Sequence, residues 1–242
     1  MRHAVISDIN GNLEAFESVL NAVSEEMADD YFFVGDVIGY GADPKGCIKL
    51  LKSLNPAVSI AGNHEWGALG KLDVSYFSET ARDAVTWVSK ILYDEEKEYL
   101  GSFPLVYQDE KVTLVHGTLN MPEEFYYIFD VEDAYVTLSQ MSNALCFVGH
   151  SHVPGIFSFE HNKVEYLEST ELKMDSEIRY LVNVGSIGQP RDGDPRASFA
   201  IYDDEELTIK LKRVEYDVKK AQEKILKAGL PAKLAERLSE GR

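Results

Sequence analysis

The chain has 242 residues, 45% apolar and 11% aromatic, and carries 24 Lys and Arg against 41 Asp and Glu for a formal net charge of −17. That apolar content supplies a sizeable core and excludes a disordered chain, while the excess acid excludes capture of nucleic acid polymers and docking on an anionic membrane, both of which need Lys and Arg. Two cysteines alone, Cys47 and Cys146, leave no disulfide scaffold and no cysteine-based zinc module.

At the start, Ala4-Val5-Ile6 is too short a run for a signal-peptide core, and no window approaches 18 uncharged apolar residues. A cytoplasmic protein with no membrane partner is expected. His3-Ala4-Val5-Ile6 reads as a buried strand. Leu13, Phe16, Leu20, Val23 and Met27 then recur at spacings of three and four, one face of a helix, with Asn12 as its N-cap. Tyr31 to Val34 is the next strand. Asp43-Pro44 opens a helix to about Ser53, as a cap followed by proline at the first helical position. Val58-Ser59-Ile60 is a third strand. Residues 66 to 104 show no strand signal but do show helical stretches at Ala81 to Tyr93 and Asp94 to Leu100. Strands come next at Val112 to Val115 and Leu145 to Val148, with a hairpin from Gly155 to Leu167 turning at His161-Asn162. Three more lie at Tyr180 to Val184, Ala197 to Tyr202 and Leu207 to Val214, before closing helices from about Val218 to Ala228 and Pro231 to Leu238. The economical fold class is α/β, one domain over residues 1–242 with a helical insertion at about 66–104. Residues 210–242 hold ten of the 24 basic side chains and five of the 41 acids, which reads as a solvated helix face.

Chemistry enters at the carboxyl end of each strand. The strands run into Asp8-Ile9-Asn10, Gly35-Asp36, Gly62-Asn63-His64-Glu65, His116-Gly117, Gly149-His150-Ser151-His152 and Asn183-Val184-Gly185-Ser186. Six strands thus deliver Asp, Asn or His to the edge where open α/β sheets bind ligands. Four of the six histidines stand there, leaving His3 and His161 to structure and surface. Any one of these residues alone is ordinary as a cap, turn or core residue. Together they make a mixed oxygen and nitrogen donor set suited to Mn, Fe, Zn, Co or Ni. An extended His-x-His would hold its two rings about 7 Å apart on one face, the spacing of ligands to two neighbouring ions.

These ordered blocks resemble those of the calcineurin-like metallophosphoesterase superfamily, D-x-H, G-D, G-N-H-D/E, H and G-H-x-H. Gly35 to Gly41, Gly185 to Arg191 and Glu215-Tyr216-Asp217-Val218 resemble its small stand-alone bacterial and archaeal subfamily. The resemblance implies a four-layer α/β/β/α sandwich and two divalent transition-metal ions as cofactors. Asp36 would bridge them, Asp8, Asn10 and His152 would serve the first, and Asn63, His116 and His150 the second. His64 would act on the leaving-group oxygen. The implied reaction is hydrolysis of a small phosphorylated metabolite or nucleotide, as phosphodiester, monoester or phosphoanhydride, by a metal-activated hydroxide.

Two departures stand out. Asn10 occupies the place of the D-x-H histidine, which implies a weaker or differently selective first-metal site. At its extreme this gives an alternative reading, a catalytically weakened regulatory protein that binds metal or nucleotide. The G-D-x-V-D-R-G pattern of the protein phosphatase branch is absent, with Gly39 and Tyr40 in place of its Asp and Arg. Phosphate must then find other cations, and Arg191 and Arg196 are the candidates because a guanidinium fork matches phosphate oxygens. Tyr and Phe of Phe125-Tyr126-Tyr127-Ile128-Phe129, and the helical insertion, are either pocket walls or core.

Overall fold

β1 (Arg2–Ile6) pairs in parallel with β2 (Asp30–Phe33), and β2 with β3 (Val58–Ser59), in a computed structural model that describes all 242 residues. The crossovers are α1 (Leu13–Glu25) and α2 (Pro44–Leu54). Asn12 caps α1 as expected, its side chain accepting from the Ala15 N–H at 3.1 Å. Asp43 precedes α2 but makes no capping bond, and its carboxylate instead pairs with Lys224 at 2.5 Å. Residues 66–104 contain no strand, and their helices are α3 (Asn63–Ala68), α4 (Glu79–Ile91) and α5 (Asp94–Gly101), with turns between them.

The second half adds β4 (Val106–Gln108), β5 (Val112–Val115), α6 (Val131–Gln140), β6 (Leu145–Val148), β7 (Gly155–Glu160) and β8 (Lys163–Leu167). It then continues with β9 (Glu171–Lys173), β10 (Arg179–Asn183), β11 (Ala197–Asp203) and β12 (Thr208–Val214). The chain closes with α7 (Val218–Lys227) and α8 (Ala232–Glu240). Two six-stranded sheets result, in the orders β3-β2-β1-β11-β12-β9 and β4-β5-β6-β10-β7-β8.

Period-two alternation sets the layers. Along β1, Ala4 and Ile6 pack with Phe16 of α1 and Ile48 of α2, while Val5 packs with Leu114 and Phe147 of the other sheet. Along β6, Leu145 and Phe147 face the first sheet, whereas Cys146 and Val148 meet Ala134 and Leu138 of α6. Helix, sheet, sheet and helix therefore stack as the expected four-layer sandwich. Strands covered on both faces read as continuous apolar runs, which is why most were visible in the sequence. β4, β9 and α6 were not expected. Two are three-residue strands too short to display a period, and α6 buries only Ala134, Thr137 and Leu138 on its inner face.

The parallel strands β1, β2, β3, β5, β6 and β10 all leave the two sheets in one direction. The loops at their carboxyl ends meet along one edge of the sandwich.

Candidate functional site

Sharp turns at these strand ends bring the polar residues inward. Asp8, Asn10, Asp36, His150 and His152 all have φ between 52° and 65°, the left-handed region that Asn, Asp and His tolerate better than most residues at a cost of about 1–3 kcal/mol each. Hydrogen bonds between loops hold them there. Asp8 N–H donates to the Gly35 carbonyl and Asn10 N–H to the Asp36 carbonyl, both at 2.9 Å. His150 and His152 therefore do not lie on an extended strand as the His-x-His spacing suggests. Two left-handed residues around Ser151 fold the segment back, and Asn183 Nδ2 clamps it by donating to Gly149 O and Ser151 Oγ. Both rings still reach the cluster, by a different route.

All seven predicted metal ligands and His64 are buried. The Nδ1 atoms of His116 and His152 lie 2.7 Å from Val34 O and 2.5 Å from Gln189 O, so each donates its Nδ1 proton to a carbonyl and turns Nε2 toward the carboxylates, the arrangement that orients metal-ligating histidines. His152 Nε2 stands 3.1 Å from Asp8 Oδ1, and His116 Nε2 stands 3.1 Å from Asp36 Oδ2. Asp36, His116 and His150 offer ligand atoms within 4.8 Å of one another. The remaining carboxylate oxygens are occupied by protein donors. Asp8 Oδ2 accepts from Ser7 Oγ at 2.7 Å and His150 N–H at 3.0 Å, and Asp36 Oδ1 accepts from His64 N–H at 2.9 Å.

The atoms left over test whether cations fit. Asp8 Oδ1, Asn10 Oδ1, Asp36 Oδ2, Asn63 Oδ1 and His116 Nε2 are all buried without a hydrogen-bond partner. Orphaned buried polar atoms are costly and rare, and four oxygens and one ring nitrogen collected in one place are what oxygen- and nitrogen-bound divalent cations would satisfy. Glycines leave room for this crowding. A Cβ on Gly149 would strike Ser7 Oγ and Asp8 Oδ2, and one on Gly62 would strike Asp36.

The charges are mutually adjusted. Burial would raise the pKa of Asp8 and Asp36, but the imidazoles of His152 and His116 outweigh it and hold both carboxylates below the ordinary range. Burial also opposes protonation of His116, yet Asp36 and Asp8 hold its pKa up, to about 10. Burial lowers His150 and takes His64 down to about 4, so His64 is neutral at pH 7. Its ring sits 4.6 Å from that of Tyr40 and 5.6 Å from that of Phe77, with Nδ1 unpartnered. Glu65 anchors the loops. Its carboxylate accepts from Asp36 N–H and Gly62 N–H, each at 2.8 Å, and from Ile38 N–H at 3.3 Å.

This geometry agrees with what the chain is similar to. Residues 1–206 match the calcineurin-like phosphoesterase superfamily domain. The chain belongs to the calcineurin-like phosphoesterase superfamily. It is 41% identical over 245 aligned positions to an uncharacterized protein from Methanocaldococcus jannaschii, covering 99% of this chain and 98% of that one. The crystal structure of a metallophosphoesterase from Sphaerobacter thermophilus superposes with a TM-score of 0.89 at 36% identity, over all of both chains. A hypothetical protein from Pyrococcus horikoshii OT3 shares the fold, with a TM-score of 0.80 at 21% identity over 100% of this chain and 98% of that one. The protein is thus a hydrolase, a metallophosphoesterase.

Beside the cluster of this phosphoesterase lies a cavity of about 410 Å³. Asn63 and His150 form part of its wall, together with Tyr40, Phe77, Phe125 and Tyr127. Of the aromatic segment, Phe125 and Ile128 are buried while Tyr126, Tyr127 and Phe129 are exposed. Phe125 and Tyr127 line the cavity, and the Tyr127 ring stacks on His150 at 4.0 Å. Core and wall are both represented in those five residues.

The two arginine candidates separate. Arg191 is largely buried and lines the cavity; its Nη2 donates to Tyr40 Oη at 3.0 Å and its Nε has no partner. Arg196 does not reach the cavity. Its guanidinium is folded onto Asp194 two residues away, at 2.6 Å, because the Asp194-Pro195-Arg196 turn brings the two side chains together on the exposed side of the loop. A cation that sequence reasoning passed over is present instead. Arg237 of α8 lines the cavity, and in the sequence it is hidden within the basic terminal stretch.

Proposed function

We propose that the protein is a dinuclear phosphoesterase that hydrolyses a small phosphorylated metabolite or nucleotide. The observation carrying this reading is the set of buried acceptor atoms without partners, gathered around Asp8 and Asp36 at the edge of the cavity. Asp8, Asn10 and His152 would hold one cation and Asn63, His116 and His150 the other, with Asp36 between them. Divalent cations of the Mn, Fe, Zn, Co or Ni type would supply there Lewis acidity toward the phosphoryl oxygens and toward water near neutral pH.

The chain's own groups do the rest. Arg191, mounted on Tyr40, presents its free Nε to a phosphate oxygen. His64, neutral and shielded by Tyr40 and Phe77, donates an N–H to the leaving oxygen as its charge develops, so that oxygen is stabilised without an additional buried cation. Glu65 keeps the Asp36 and Gly62 backbones fixed during turnover. The aromatic walls exclude water from the bound ester and limit what can enter. A nucleic acid polymer does not fit a 410 Å³ cavity on a chain of net charge −17.

Metal content of the purified, Mn²⁺-loaded protein, followed by assays with p-nitrophenyl phosphate, its bis-ester and a nucleotide panel, tests this reading. Two cations per chain with turnover of at least one ester class is the expected result. Fewer than two cations together with no turnover of any ester would overturn it.

A further inference from the structure

The terminal helices α7 and α8 lie beyond the residues that match the superfamily domain, yet they are built into the wall of the cavity. Ile225, Leu234 and Leu238 pack with Tyr40, Ala81 and Ala84, joining the hairpin to the floor and to α4. Polar ties add to this. Lys220 and Lys224 pair with the buried Glu14 carboxylate at 3.1 and 2.5 Å. At the far end of α8, the Gly193 N–H donates to Gly241 O at 2.9 Å, binding the hairpin to the loop that carries Arg191.

Burial, together with the pattern of ion pairs, singles out one residue of this hairpin: Lys219, Lys227 and Lys233 are unpaired too, but they are exposed and stand away from the cavity. Lys210, Lys212, Arg213, Lys220, Lys224 and Arg242 each pair with a carboxylate. Arg237 is half-buried, makes no side-chain hydrogen bond or ion pair, and lines the cavity. An arginine at such a place with nothing to bind is a site for an anion. It is the second cation of the cavity, and it sits on a different element from Arg191. Glu124 is the only acid in the lining, and being exposed it is screened by water and leaves the Arg237 charge largely uncancelled.

We infer that Arg237 is a specificity-determining residue that recognises a second anionic group, phosphate or carboxylate, on a phosphate ester whose reacting phosphoryl group lies at the Asp8–Asp36 cluster. This rests on the phosphoesterase reading above and names its substrate class. An uncharged organic tail would leave Arg237 desolvated and unpaired, whereas a tail ending in an anion would satisfy it.

Equilibrium binding to the Mn²⁺-loaded full chain tests the inference without requiring turnover. The probes are alkylphosphonates of increasing length and the same chains ending in a carboxylate or a second phosphonate. The wild type is expected to prefer the anion-ended chains at one length. Arg237→Ala is expected to lose about ten- to a hundredfold of that preference, and Arg237→Lys to recover part of it. The relative gain of carboxylate and phosphonate ends tells which anion is read. Equal binding of plain and anion-ended chains by the wild type, or an unchanged preference in Arg237→Ala, would overturn the inference while leaving the phosphoesterase reading intact. Binding of no phosphonate at all would overturn both. A thermal melt of each variant separates loss of the cation from loss of the hairpin, since an unfolded α8 lowers the melting temperature and a missing guanidinium alone does not.

Discussion

Tyr40 Oη accepts a hydrogen bond from Arg191 Nη2 at 3.0 Å, across 151 residues of chain. The loop after β2 and the loop after β10 are thereby joined over the site, and the tyrosine stands at the position where the protein phosphatase branch has its own arginine. The cation is supplied from elsewhere and held by the residue that replaced it. Burial raises the Tyr40 pKa, so the hydroxyl stays protonated and can accept from Arg191 while its ring packs on His64.

Arg191→Ala is expected to raise KM by about ten- to a hundredfold, because a buried charge-assisted bond to phosphate is lost. Arg191→Lys recovers little, since an ammonium cannot reach both Tyr40 and a phosphate oxygen as a guanidinium fork does. Tyr40→Phe gives a smaller loss, by freeing the arginine. Steady-state kinetics with metal content measured alongside check this; unchanged KM in Arg191→Ala would remove its phosphate role.

His64→Ala is expected to lower kcat by about a hundred- to a thousandfold, the usual range for a hydrogen-bond donor to a developing oxyanion. The metal content should stay as in the wild type, because its side chain is not among the proposed ligands. Elemental analysis beside kcat distinguishes the cases, and loss of metal would show that the residue acts as a ligand.

Asn10→His is expected to tighten binding of the first cation, imidazole being a stronger donor than a carboxamide to transition metals. Competition with a chelator reads the change. The side chain must fit against Gly39, whose missing Cβ already leaves the space that Asn10 Oδ1 occupies. Unchanged affinity and activity would mean that position 10 has no part in metal binding.

Glu14→Gln is expected to lower stability at pH 7 by about 1–3 kcal/mol, since Lys220 and Lys224 lose a nearly buried partner. The pH dependence has a definite sign. Burial would raise the Glu14 pKa, but the lysines hold it below the ordinary 4.5, so the pair's contribution is present above that value and is lost as pH falls through the depressed pKa. Lys224 is raised above 10.5 and stays charged throughout. Denaturant melts should show the wild type and Glu14→Gln converging as pH falls from the ordinary carboxylate range through the depressed pKa of Glu14. A penalty that persists in acid would mean packing, not charge, ties α7 to α1.

Strands of the two central layers were legible because each is covered on both faces, as in Leu145 to Val148. The candidate cluster was legible because Asp8, Asp36, Asn63, His116 and His150 each come within a few residues of such a run. Its geometry was not. The His150-Ser151-His152 spacing implies an extended segment, and only the left-handed turns at both histidines show how the rings converge. Short elements without a period escaped for the reason that three residues sample no repeat. Arg191 and Arg196 are indistinguishable in sequence, being basic residues five positions apart in one loop; Asp194 captures one and Tyr40 the other. Arg237 carried no local signal at all, because what makes it distinctive is its half-buried, unpaired place on the cavity wall in three dimensions.

The link between Gly193 and Gly241 ties the C-terminal turn of α8 to the loop that holds Arg191, while every proposed metal donor lies before residue 153. The proposed donors and the helix that completes the cavity wall with Arg237 thus come from separate stretches of the chain. Relatives could exchange one entrance for another by altering the last few dozen residues, with no ligand disturbed.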